Sequence, residues 1–368
     1  MLESRLKAKT QELLALAGVK INGDRPWDIT IYDDRFYPKI IHWGSLGMGE
    51  SYMDGWWDCQ QLDQMICMLI LADLEHRIPW DWKLAFHYLK ARLFNLQRKR
   101  RARRNVRRHY DIGNDLYLNM LDQRMSYTCA NWERASCLGE AQEAKLDLVC
   151  QKLQIARDST ILDIGCGWGS FAKFAAEKYG AKIVGITLSE NQAQLGRQMC
   201  ADLPVQIRVL DYRDLSGHFD HIVSLGMFEH VGYKNYRTYM EVVHRCLKQG
   251  GLFYLNTIGA NQSVYVADSW IDKYIFPGGM FPSIRQIGAS IEGLFRIEEL
   301  QNWGPYYDKT LMAWFHNFHE NWGKLKPRYG ERFYRMWKYH LLASAGAFRA
   351  RKVQDWQMVF SRAATPKS

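Results

Sequence analysis

ILDIGCGWGSF, residues 161–171, is the stretch on which the fold reading turns. A buried strand ends at Asp163, and a turn with glycine at Gly165, Gly167 and Gly169 opens a helix. Glycines there let the backbone approach a ligand closely, and in open α/β sheets the ligand lies beyond the C-terminal strand ends. The pattern alone serves a dinucleotide or a nucleoside equally well. A tight turn without a ligand is the weaker reading, because three alternate glycines are costly without a reason for close approach. From about residue 147 onward, runs of aliphatic residues at 160–164, 182–187, 205–210, 221–225 and 251–257 alternate with helical stretches. Such runs suit strands buried on both faces, so a parallel, doubly wound α/β domain is expected. The second strand ends at Thr187, not at the acid that usually grips a ribose, and leads through Leu188 to Gln192. The third ends in Asp211, Tyr212, Arg213 and Asp214, where an acid can accept from an adenine amine and a ring can cover its face. The fourth ends just before Glu229 and His230.

Outward from that core, the chain has 368 residues, room for roughly two domains. Hydrophobic residues make up 47% and charged residues 24%, which excludes a largely disordered chain. The aromatic share of 14% suits an apolar cleft or a surface that meets lipid headgroups. The first 18 residues alternate charge and leucine at helical spacing without an apolar core or cleavage site, unlike a secretory signal. The longest apolar run, 65–72, is far short of the ~20 residues that span a bilayer. The eight cysteines form no C-x-x-C pair and no zinc spacing, so reduced thiols in a cytoplasmic protein are expected and no metal is.

The N-terminal part reads as a helix over 1–20 ended by Gly18, a short-strand region over 28–43, a glycine- and aromatic-rich stretch over 44–57, and helices over 62–76 and 80–96 split by Pro79. Residues 98–108, RKRRARRNVRR, carry eight basic side chains in eleven positions. A solvated linker is the plain reading of such a run. Beside an aromatic-rich helix it is also a candidate surface for anionic lipid, at ~1 kcal/mol per basic residue, with nucleic acid as the rival partner.

ILDIGCGWGS, GITLSENQ (185–192), DYRDL (211–215), GMFEHVG (226–232) and IDKYIFPGG (271–279) together resemble class I S-adenosylmethionine-dependent methyltransferases. More narrowly they resemble the cyclopropane-fatty-acyl-phospholipid synthases and their relatives, the mycolic acid cyclopropane synthases. The resemblance continues in LGMGESYMDGWWD (46–58), HYDIGNDLY (109–117), YTCANW (127–132), YYDKTLMAW (306–314) and AGAFRARKVQDWQ (345–357), and so covers essentially the whole chain. It implies an α/β class I methyltransferase, Rossmann-like with a doubly wound, mostly parallel sheet, and a small, mostly helical N-terminal domain. The expected division is 1–90 for lipid binding and substrate presentation, 91–108 as basic linker, and 109–368 as catalytic domain. The implied reaction transfers a methylene from S-adenosylmethionine to the cis double bond of unsaturated acyl chains in membrane phospholipids. The implied setting is cytoplasmic, peripheral at the inner, anionic membrane face, without nucleic acid; a homodimer is left open.

By the same resemblance, Tyr127 and Thr128 lie beside the methionyl end of the cofactor. Gly165, Cys166, Gly167, Trp168 and Gly169 form its floor. Thr187, Leu188 and Gln192 hold the ribose and amino-acid portions, Asp211, Tyr212 and Arg213 flank the adenine, and Asp163 acts on the ammonium or through the loop. An alkene attacking the sulfonium methyl leaves a carbocation, which needs aromatic shielding and then loss of a proton. Tyr265, Trp270, Tyr274, Phe276 and Trp314 are candidate walls, each equally readable as plain core. The family is expected to use bicarbonate as the base, in a cage carried over to Cys129, Glu229, Asn256, Ile258 and Tyr307. Asn256 departs from the pattern, since relatives carry histidine in this segment; asparagine donates a hydrogen bond but carries no charge. Ser344 replaces a cysteine found in some relatives, which argues against covalent catalysis there. His109 is readable equally as loop packing or catalysis. A fatty-acyl methyltransferase giving a branched or unsaturated chain, and a lipid- or nucleic-acid-binding protein on a methyltransferase scaffold, are the alternatives.

Overall fold

The computed structural model describes residues 2–74 and 112–363. The basic run 98–108, the expected helix 80–96 and His109 lie outside the described residues. The described residues fall into two compact units. One takes in those of Met1–Leu93 with Val266–Pro277 and Tyr307–Val353; the other takes in those of Phe94–Tyr265, Gly278–Tyr306 and Gln354–Ser368. The units therefore do not follow the linear division 1–90, 91–108 and 109–368.

The first unit holds the helix Leu2–Leu16, a two-residue antiparallel pairing of β1 (Thr30–Ile31) with β2 (Trp57–Asp58), and the helices Phe36–Met53, Leu62–Leu71, Ser269–Tyr274 and Trp322–Arg349. Residues 44–53 of the glycine-rich stretch are helical, lying within Phe36–Met53, which kinks at Gly44 (φ 50°, ψ −127°), and Trp57 at its end enters β2. Propensity argues against helix here, and packing overrides it. A Cβ on Gly49 would stand 2.3 Å from the Trp270 ring, and one on Gly346 2.4 Å from the Asp63 carbonyl. The missing side chains are what let these helices close on one another.

The second unit is built on a seven-stranded sheet of order β5-β4-β3-β6-β7-β9-β8. Its strands are β3 (Thr160–Ile164), β4 (Lys182–Thr187), β5 (Val205–Val209), β6 (Phe219–Leu225), β7 (Leu247–Ala260), β8 (Phe295–Asn302) and β9 (Val353–Arg362). The five expected strands are all present and mutually parallel. Alternate residues point into two different cores: Leu162, Ile164 and Ile222 into one, Ile161, Ile183 and Val223 into the other. That is the period-2 geometry of a sheet covered on both faces. Two strands, β8 and β9, were not expected; they pair antiparallel. β8 is an edge strand with mostly exposed side chains, and β9 interrupts its aliphatic run with buried Gln354, Asp355 and Gln357. Neither shows the aliphatic signature that marked the other five. No helix among the described residues is long and apolar enough to cross a membrane.

Candidate active site

A cavity opens at the C-terminal ends of β3, β4 and β6 in the second unit. Thirteen of the fourteen residues expected at the cofactor line it: Tyr127, Thr128, Asp163, Gly165, Cys166, Gly167, Trp168, Thr187, Leu188, Gln192, Asp211, Tyr212 and Arg213. Gly169 does not. It starts the helix Ser170–Tyr179 at φ 85°, and a Cβ there would meet Ile207 at 3.1 Å. Its role is close helix–sheet packing, not cavity floor. Gly167, at φ 54°, is the reverse case: the nearest atom to a Cβ there is Gln192 Nε2, at 3.9 Å. A side chain at that position would occupy the cavity.

Local hydrogen bonds fix the walls. Thr187 Oγ1 donates to Gln192 Oε1 at 2.8 Å, and the Ser189 hydroxyl caps the helix Glu190–Met199 by accepting from the Gln192 amide. The buried Asp211 carboxylate accepts from the Arg213 backbone N–H at 3.0 Å, from Nε at 2.8 Å and from Nη2 at 2.9 Å. It was expected to serve an adenine amine; in the structure it first holds the Arg213 guanidinium in place. The remainder of the HYDIGNDLY motif supports the loop from the other side. Asn114 Oδ1 accepts from Trp168 Nε1 at 3.0 Å, and Tyr117 packs against both Trp168 and Tyr127.

Beside the cavity stands a group of buried carboxylates. Glu229 Oε1 accepts from the Ile258 N–H at 2.6 Å, while Oε2 is buried without a partner. Burial pushes Glu229 up to about 7, with the Ile258 hydrogen bond opposing and Asp355 adding to the rise. Asn256 Nδ2 donates to Asp355 Oδ1 at 2.8 Å, Gln357 Nε2 donates to Asp355 Oδ2, and Tyr254 Oη donates to Gln357 Oε1 at 2.7 Å. Burial also pushes Asp355 up to about 7, opposed by Asn256, Gln357, Lys145 and Cys129. The Cys129 thiol points at the carbonyls of Ala130 and Trp303, at 3.6 and 3.7 Å. Four of the five expected cage residues thus lie in the second unit. Tyr307 belongs to the first, where it stacks on Phe348 at 4.5 Å between ring centroids. None of the candidate aromatic walls Tyr265, Trp270, Tyr274, Phe276 and Trp314 lines the cofactor cavity. Trp270 is core of the first unit, against Gly49 and Tyr339.

Sequence reasoning passed over two buried charges here, Asp355 and Lys145. Asp355 is a lone acid in a strand, inside a motif already singled out. Lys145 lines the cavity and falls on the buried stripe Leu138, Ala141, Gln142, Lys145, Leu146, Val149 of the helix Leu138–Lys152. A lysine at helical spacing among apolar residues was the available signal.

Residues 97–358 match the family described as mycolic acid cyclopropane synthetase. Over 351 residues the chain is 50% identical to the cyclopropane-fatty-acyl-phospholipid synthase of Escherichia coli (strain K12), spanning 95% of this chain and 92% of that one. It is 32% identical over 359 residues to the tuberculostearic acid methyltransferase UfaA1 of Mycobacterium tuberculosis, spanning 90% of this chain and 82% of that one. Among solved structures, the mycolic acid cyclopropane synthase CmaA1 complexed with SAH and CTAB is similar at a TM-score of 0.67 and 31% identity, covering 71% of this chain and 98% of that chain. The extent of these matches makes the chain a member of the mycolic acid cyclopropane synthetase family.

Proposed function

We propose that this protein is an S-adenosylmethionine-dependent methyltransferase that converts the cis double bonds of unsaturated phospholipid acyl chains into cyclopropane rings. The observation that carries this reading is the identity of half its residues, over 95% of its length, with a cyclopropane-fatty-acyl-phospholipid synthase. The residues fit the cofactor: the face of Gly167 is open where a Cβ would intrude, and the cavity offers an amide, a hydroxyl and acids at separate strand ends. They also fit a small anion that carries a hydroxyl, since Glu229 Oε2 is a buried acceptor without a donor. S-adenosylmethionine, when bound, supplies an electrophilic methyl, and bicarbonate supplies a base of the right strength to take a proton from it.

The chain's own residues bind, orient and exclude water. Thr187 and Gln192 hold the ribose and amino-acid portions, Tyr212 and Arg213 flank the adenine, and Tyr127 with Thr128 lies beside the methionyl end. Glu229 orients the base through Oε2, with Ile258 fixing its other oxygen. Asn256 and Cys129 complete the part of the cage that lies in the second unit, Asn256 offering a dipole in place of a charge. Attack by the alkene leaves positive charge on the acyl chain, and loss of one proton from the added methyl closes the ring. The protein works peripherally at the anionic, inner face of the membrane, drawn there by the basic run 98–108 and its aromatic residues.

Mass analysis of vesicles of unsaturated phospholipid, incubated with the protein and S-adenosylmethionine, tests the reading. A gain of CH₂ per chain with loss of the double bond is expected; no gain overturns it. Asn256 favours keeping one second reading, a methylated open chain. That product retains a double bond and is isomeric with the cyclopropane, so ozonolysis before the mass analysis separates the two. Co-sedimentation that strengthens with anionic lipid and falls with salt checks the surface; indifference to both removes it.

A further inference from the structure

We infer that Lys145 is a positioning residue of the methyl-transfer site: it grips the turn at Thr128 and supplies the positive charge that the buried carboxylates Asp122, Asp163 and Asp355 face. Lys145 is 3% exposed and donates from Nζ to Thr128 Oγ1 at 2.9 Å. One turn earlier on the same helix, Gln142 Nε2 donates to the Thr128 carbonyl at 3.0 Å. Residues three apart on one helix face thus hold the hydroxyl and the carbonyl of Thr128. Thr128 and Lys145 line the cofactor cavity, and the next residue, Cys129, turns toward the carboxylate cluster. The fold does not require a charge at this place. A methionine would fill the same stripe position, and a buried ammonium costs several kcal/mol unless something compensates it.

The compensation comes from three directions. The groups that act on Lys145 are Asp122 from the loop after Asn114–Met120, the Cys129 thiol, Asp355 on β9 and Asp163 at the end of β3. Burial draws Lys145 down to about 8, so it remains largely a cation at neutral pH. Burial lifts Asp163 and Asp355 to about 7, and in both Lys145 opposes the rise. Asp122, also raised by burial, accepts from the backbone N–H groups of Arg124 and Ser126 and is drawn back by Lys145. Without the cation, these acids take up protons at higher pH, and the cavity presents a neutral wall where the cofactor's ammonium would lie.

This inference rests on the cofactor reading of the cavity, so the readout is binding, not turnover. S-adenosylhomocysteine affinity is measured by calorimetry between pH 6 and 9 on the full chain, as wild type, Lys145→Met, Lys145→Arg and Thr128→Val. Failure of the wild type to bind overturns the cofactor reading itself. Given binding, Lys145→Met moves the acid limb of the affinity profile up by about one pH unit or more, and the profiles converge at high pH. Lys145→Arg leaves the limb in place, because the charge is kept. Thr128→Val weakens binding at every pH without moving the limb. Lys145→Met also lowers the thermal midpoint above pH 7, where the buried carboxylates are left without their cation, and less so at lower pH. A limb unmoved in Lys145→Met, or moved equally by Lys145→Arg, overturns the inference. Should Lys145→Met fail to fold, Lys145→Gln reads the same limb with the same two outcomes.

Discussion

The glycine loop and the carboxylate cluster stand at strand ends of one sheet, and they are made by opposite means. The loop is backbone: Gly165 at φ 89° and Gly167 at φ 54° adopt conformations that other residues resist, and the ligand space is what their missing side chains leave. The cluster is side chain: Glu229, Asp355 and Asp163 are buried acids held near neutrality by a low-dielectric surround and a few donors. A site of the first kind fails by being filled. A site of the second kind fails by losing or gaining one proton.

The sharpest break in that comparison is Glu229→Gln. It keeps the shape and removes the carboxylate, so turnover should fall by ~10²–10⁴-fold while S-adenosylhomocysteine affinity changes little. Calorimetry and a single-turnover assay separate the two; a silent substitution would place the base elsewhere. Gly167→Val tests the other region. Overpacking of about 3 kcal/mol should weaken cofactor binding by ~10²-fold, with circular dichroism unchanged. An unaltered affinity removes the loop from the site.

That contrast also explains what could be read without coordinates. Alternating glycines after an aliphatic strand are local in sequence, so the loop, the parallel strands and thirteen of the residues that line the cavity were legible. Gly169 was assigned to the floor because spacing alone does not tell a glycine that faces a ligand from one that faces a helix. In the glycine-rich stretch 44–57, which composition left unassigned, only Gly49 proves to be placed for close packing on Trp270. Asp355 and Lys145 were missed because a buried charge is recognisable only once its partners are near, and those partners lie 99 residues away for Asn256 and 17 for Thr128.

Two smaller effects refine the comparison. Turnover should fall as pH is lowered through about 7, because Glu229 and Asp355 take up protons there and the protonated forms lose the acceptor that orients the base. Cofactor affinity measured in parallel should follow Asp163 instead; an acid limb near 4 for turnover would show that burial has not raised these groups. Asn256→His should raise turnover at low added bicarbonate by up to roughly tenfold, through a charged partner for Asp355 and for the anion. A histidine that abolishes activity while Glu229→Gln is silent would dissolve the cage.

β9 is the last strand among the described residues, yet it lies between β7 and β8 and not at an edge. During synthesis, at ~5–20 residues per second, the growing chain completes the entire glycine loop long before residues 353–362 emerge. Until they do, one side of β7 is an open strand edge, and Asn256 has no carboxylate to donate to. A nascent or prematurely terminated chain can therefore possess its nucleoside cleft and still lack its acid cluster. Insertion of β9 between β7 and β8, more than collapse of the earlier strands, sets the moment at which the acid cluster is complete.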